Sequence, residues 1–107
     1  MEVHRLLGCG FVEAPYARAL TIELELRGIP FENEVSFPLS YKERSLALSY
    51  RADLVCFGSV IVEVKALPSL GSQQLSQAIN YLRAANLKRG LLLNFGARSL
   101  QYQRVVL

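Results

Sequence analysis

The chain has no tryptophan, one methionine, two cysteines and a single histidine among its 107 residues. Cys9 and Cys56 stand far apart and form neither a CxxC pair nor a Cys/His cluster, so neither a disulfide framework nor a zinc site is indicated. A serine or cysteine triad would need His4 as its base, and His4 lies at the very start of the chain, so that chemistry is set aside. No apolar run approaches the roughly 18 residues that span a bilayer. The opening segment MEVHRLLGCG also lacks the apolar core of a signal peptide. These absences lead us to expect no membrane association and a cytoplasmic location.

What is present is a globular balance, with 51% hydrophobic and 20% charged residues. The length fits one domain, and no repeat, low-complexity tract or linker divides residues 1–107. Net charge is +3, carried by nine arginines against three lysines. Arginine is the better fork for phosphate, which leans towards a polyanionic partner, although an ordinary basic surface accounts for the charge equally well.

Along the chain, EVHRLL reads as a turn of helix stopped by GCG at 8–10. Val12, Tyr16, Ala19, Leu20 and Leu24 recur at helical spacing between Phe11 and Arg27, and Gly28 and Pro30 end that stretch. Pro15 is close enough to the start to cost no internal hydrogen bond. Val35, Phe37, Leu39 and Tyr41 alternate as in a half-buried strand, with Pro38 marking an edge or an irregularity. KER at 42–44 turns into a second strand, SLALSYRADLVCF, and a short turn at Gly58 and Ser59 leads into VIVEVKAL at 60–67. Residues 72–86 return to helical period, closed by KRG at 88–90. LLLNF then reads as a strand buried on both faces, reached by a crossover and therefore parallel to VIVEVKAL, and QYQRVVL closes as an edge strand. The expected class is α/β, a mixed sheet flanked by helices.

VIVEVKAL poses the chemical question. Side chains alternate, so Val60, Val62 and Val64 share one face and Ile61, Glu63 and Lys65 the other. A solvated face, or a simple Glu63–Lys65 ion pair, would account for the charges. Asp53 adds a third charge near the end of the preceding strand. A two-residue loop sets Asp53 opposite Val64, whereas a three-residue loop or a bulge sets it opposite Glu63 on the same face. Two carboxylates facing one point repel, and the usual relief is a divalent cation with oxygen ligands. A lysine beside them suits a hydrolytic site better than a calcium cage.

Asp53 followed by Glu63-x-Lys65 on the next strand resembles the signature of the PD-(D/E)XK nuclease superfamily. GFVEAPY, with Gly10, Glu13 and Tyr16, resembles the motif of its GxxExxY family. EVHRLLG, ELRGIPFE, YRADLV, IVEVKAL, QAINYL and LLLNFG follow in that family's order, so the resemblance covers essentially the whole chain. It implies a restriction-endonuclease-like αβββαβ core with a Mg2+ site, Mn2+ being a possible substitute. By the same resemblance Asp53, Glu63 and the Val64 carbonyl would hold the metal, Glu13 would reach it through water, and Lys65 would position the attacking water. Gln77 and Tyr81 match the superfamily's Q-x-x-x-Y helix motif and would face nucleic acid. Arg51 would either partner Asp53 or face a phosphate.

The implied activity is Mg2+-dependent hydrolysis of phosphodiester bonds in nucleic acid, DNA more than RNA. The alternative is a non-catalytic nucleic-acid-binding or assembly module that keeps the fold. Simpler roles also stand: a helix-dipole partner for Glu13, core packing for Tyr16 and Tyr81, capping for Gln77, a satisfied core amide for Asn94, and solvated helix surface for Arg18, Arg83 and Lys88. The chain departs from the family pattern in starting within the first helix, with Cys9 where proline is common and Pro15 inside the motif. The shortened start leads us to expect a homodimer that covers the exposed apolar surface.

Overall fold

Every element ends where its sequence stops supporting it. In the computed structural model, which describes residues 1–107, helix α1 spans Glu2–Leu7 and Gly8 closes it at φ 74°. Helix α2 spans Glu13–Leu26, with Pro15 inside the first turn, where no N–H is owed to the helix. It stops in a Schellman closure: the Gly28 N–H reaches Glu25 O at 3.1 Å and the Ile29 N–H reaches Leu24 O at 2.9 Å. Gly28 holds φ 68° there, a conformation that a side chain would resist.

Strands β1 (Phe31–Tyr41) and β2 (Arg44–Cys56) form a long hairpin turned at Lys42 and Glu43. Both turn residues have positive φ, as a tight two-residue turn of the right twist requires. Pro38 is tolerated because β1 is an edge strand, and the register shifts between Pro38 and Ser40. The outer half of the hairpin reaches past the core, so Leu46 and Leu48 are exposed despite their strand-like alternation.

Strand β3 (Val60–Lys65) returns antiparallel to β2, helix α3 (Ser72–Ala85) crosses over, and strand β4 (Arg89–Asn94) pairs parallel to β3. Strand β5 (Gln101–Val106) closes the sheet on the far edge, in the order β1-β2-β3-β4-β5. Helix α3 ends at Asn86 in the left-handed conformation (φ 56°), four residues before the glycine expected to close it. Gly90 instead lies in β4, where a Cβ would sit 3.5 Å from both the Ile61 carbonyl and a Leu82 methyl.

The sheet is covered on both faces. Val3, Tyr16 and Leu20 of the first two helices pack on Leu54, Cys56, Val62, Val64, Leu93 and Phe95. On the other face Ala78 and Leu82 of α3 pack on Tyr50, Ala52, Val55, Ile61, Leu92 and Val105. Strict alternation would put Ala52 and Leu54 on one face, yet they belong to opposite cores. The strand changes phase at Asp53, opposite Glu34. Ala52 pairs with Val35 and Leu54 with Asn33, while Glu34 takes φ 50°. This kink prepares the site.

Candidate functional site

The β2–β3 loop is the three-residue form, Phe57 to Ser59, so Cys56 pairs with Val60 and Leu54 with Val62. Continued by one residue, that register brings Asp53 level with Glu63. The pairing stops at Leu54, and the Val64 N–H is taken by Asp53 Oδ2 at 2.7 Å. The carboxylate of the kinked residue thus binds the peptide that joins Glu63 to Val64. A backbone hydrogen bond from Asp53 also acts on the Glu63 carboxylate.

Glu63 is 5% exposed, on the α3 face of β3. Its Oε1 accepts a hydrogen bond from the Tyr50 hydroxyl. Burial pushes its carboxyl up to about 7, while the Lys65 charge and the Asp53 backbone bond pull the other way. Lys65 is half-buried, and its carbonyl accepts the Phe95 N–H at 2.9 Å. No Glu63–Lys65 ion pair forms: the ion pairs of the protein are Glu2–Arg5 and Glu23–Arg27, both on helix surfaces. Asp53 is thus tied to the Glu63–Val64 peptide and the Lys65 charge acts on Glu63, but the two carboxylates do not share a face as expected. Glu63 lies among Ala78, Tyr81 and Leu82 on the α3 side, whereas the kink turns Asp53 towards Ala17, Arg18 and Thr21 on the α2 side.

The outer residues are less gathered. Glu13 is exposed in the first turn of α2. Arg51 is exposed on β2 opposite Ser36. Gln77 and Tyr81 are half-buried and one turn apart on α3. Tyr81 stacks flat on Tyr50, ring centroids 3.9 Å apart, and Phe37 extends the aromatic row with its centroid 6.0 Å from that of Tyr50. No three His, Cys, Asp or Glu side chains come together as a metal-holding group. The donor chemistry nevertheless suits a hard cation. Magnesium keeps most of its waters and takes one or two carboxylates, and the ones offered here come from neighbouring strands. Asp53 spends one oxygen on the Val64 N–H, which leaves its second oxygen for a further partner.

Tyr50 is the residue that sequence reasoning passed over. Three positions from Asp53 on a strand, it belongs to the opposite face by alternation, and only the kink brings it to Glu63. Tyr16 of the GFVEAPY motif has a structural task. It is fully buried, stacks on Phe95 at 4.8 Å, donates to Gly8 O at 2.8 Å and accepts the Phe11 N–H at 3.1 Å. It thereby fastens the corner from which Glu13 projects.

The sequence model of the PD-(D/E)XK nuclease superfamily matches residues 1–105, and the chain belongs to that superfamily. The crystal structure of SSO0001 shares the fold, with a TM-score of 0.68 at 18% identity over 84% of this chain. The match covers 47% of that protein, so this chain spans about half its length. No curated protein matches the chain. No helix is long and apolar enough to cross a membrane.

Proposed function

We propose that this member of the PD-(D/E)XK nuclease superfamily is a Mg2+-dependent phosphodiesterase acting on nucleic acid, of the GxxExxY type suggested by Gly10, Glu13 and Tyr16. The observation that carries the reading is the buried Glu63 carboxylate, with Lys65 beside it and Asp53 bound to the peptide between them. A buried carboxylate held in this way is costly for a fold that makes no use of it. In this reading Asp53 and Glu63 hold the cation with the Val64 carbonyl, and Glu13 completes the shell through water. Mn2+ would substitute. The cation would supply Lewis-acid polarisation of the phosphate. Lys65 positions the nucleophilic water and steadies charge growing on the phosphate oxygens. Gln77, Tyr81 and Arg51 border the approach of the nucleic acid backbone, with DNA preferred on the strength of the superfamily.

The test is cleavage of plasmid, single-stranded DNA and RNA with Mg2+ or Mn2+, beside Asp53→Asn and Lys65→Ala. Loss by more than about a hundredfold is expected in both, beyond what removing an outer partner of a metal ligand costs. Cleavage that survives in both variants defeats the proposal. Binding without cleavage by the parent would instead favour the non-catalytic module. That second reading is supported by the Tyr50 hydroxyl on Glu63 and by the absence of a third acid in the group.

We further propose a homodimer working in the cytoplasm. An apolar groove of about 340 Å3 lies open between α2 and the sheet, lined by Leu20, Leu24, Ile29, Phe57, Val60 and others. Leu26 and Phe57 are exposed beside it. Sedimentation showing a monomer at every concentration would refute the dimer.

A further inference from the structure

On the α2 side of the sheet Asp53 borders a second cavity, an open cleft of about 300 Å3. Arg18 and Thr21 line it from α2, and Asn33 and Glu34 from β1. Its lining carries one guanidinium and two carboxylates, and none of the three takes part in an ion pair, since the ion pairs of the protein lie elsewhere. Opposite charges that share a cleft without pairing leave their hydrogen-bonding capacity to a ligand. The backbone adds a second, independent sign. Glu34 is held at φ 50°, opposite Asp53 in the skipped step of the β1–β2 ladder, and non-glycine residues in that region cluster at binding and catalytic sites.

The size lies at the small end of ligand pockets, with room for about one nucleotide. A carboxylate pair by itself would repel a phosphate, but Asp53 is the residue assigned to the cation, and a planar guanidinium is the natural fork for a phosphate oxygen. Resting on the nuclease reading, we propose that this cleft is the subsite for the nucleotide next to the scissile bond, with Arg18 gripping its phosphate. Asn33 and Glu34 face the rest of that nucleotide. Arg18 is thus a substrate-binding residue rather than solvated helix surface.

The experiment measures binding of a labelled single-stranded oligonucleotide with a cleavage-resistant phosphorothioate backbone by fluorescence anisotropy, in Mg2+ and across a salt series, so that no cleavage is needed. Arg18→Ala is expected to weaken binding roughly tenfold or more. The salt slope should also fall by about 0.7, the value for one phosphate contact on a single strand. Arg18→Lys should keep the slope and recover part of the affinity. Arg83→Ala, an exposed arginine on α3, should bind as the parent does. Thermal unfolding of each variant shows that the fold is kept. Parent-like binding and slope in Arg18→Ala would overturn the inference, and so would a parent that binds no oligonucleotide. Metal-dependent cleavage that needs Asp53 but ignores Arg18 would overturn the cleft alone. Arg18-dependent binding with no cleavage under any metal would overturn the nuclease reading and leave the cleft standing.

Discussion

Two polar side chains are buried in the middle of the sheet, one strand apart, and the protein treats them in opposite ways. Asn94 on β4 is fully buried and fully satisfied. Its Oδ1 accepts the Leu67 N–H at 2.8 Å and the Gly96 N–H at 3.1 Å, and its Nδ2 donates to Leu67 O at 3.0 Å and Gln101 Oε1 at 2.9 Å. Glu63 on β3 accepts from the Tyr50 hydroxyl and is acted on by the Asp53 backbone, yet burial outweighs both that bond and the Lys65 charge and raises its pKa. One amide stitches the ends of β3, β4 and β5 together. The carboxylate is held in an expensive state beside Lys65. A buried polar group that is completely bonded stabilises a unique fold, whereas one that is incompletely bonded and charged marks where chemistry can happen.

The sharpest test of that contrast is Asn94→Ala. It strands the Leu67 N–H, the Leu67 carbonyl and the Gly96 N–H at once. Each costs about 1–3 kcal/mol when left unpaired and dry, while Gln101 Oε1 keeps the Leu70 N–H. Urea unfolding should show a loss of several kcal/mol, while cleavage per folded molecule stays near that of the parent. A loss below about 1 kcal/mol would remove Asn94 from the structural side of the comparison.

Glu63 should show itself through pH. Its folded pKa of about 7 lies above the ordinary 4.5, so the folded state holds more protons than the unfolded one between those values. Its contribution to stability is therefore complete below pH 4.5 and is lost as pH rises through 7, by on the order of 3 kcal/mol. Denaturation in EDTA should follow that slope, and Glu63→Gln should flatten it. Added Mn2+ should weaken it as well, because a bound cation favours the ionised carboxylate. A parent curve flat from pH 4.5 to 7 in EDTA would contradict the assigned environment.

A smaller effect belongs to Tyr50→Phe, which keeps the stack on Tyr81 and removes the hydroxyl. Stability at pH 8 should fall by about 1.5–3 kcal/mol, the range for a hydrogen bond to a charged group. The fall should be smaller at pH 4, where Glu63 is neutral. Smallest of all is Glu23→Ala, which breaks an exposed pair with Arg27 and should change stability by less than about 0.5 kcal/mol. A Tyr50→Phe effect no larger than this control would show that the hydroxyl does not stabilise the carboxylate.

Much of this organisation is legible in the order of residues. The helical spacing of Tyr16, Leu20 and Leu24, the alternation through VIVEVK and the apolar run LLLNF fixed element type, because each depends on a period only a few residues long. The end of α3 is legible to within a residue, but the residue that closes it is not, since Asn86 takes the left-handed position that glycine usually fills. Asp53, Glu63 and Lys65 could be singled out as charges in apolar strands. The loop length, for which the sequence allowed two answers, brings Asp53 level with Glu63, but the kink at Asp53 decides which face its carboxylate takes.

By itself, then, the sequence determined the strand and helix types, the parallel crossover and the superfamily, all of them consequences of local period and motif order. Only the tertiary structure decided that β2 changes face at Asp53, that Tyr50 reaches Glu63, and that Arg18 shares a cleft with Asp53 and Glu34. The physical reason is that a strand's phase slip is set by the two cores packed against its opposite faces. Those contacts come from residues far away in the chain, and no short window of sequence contains them.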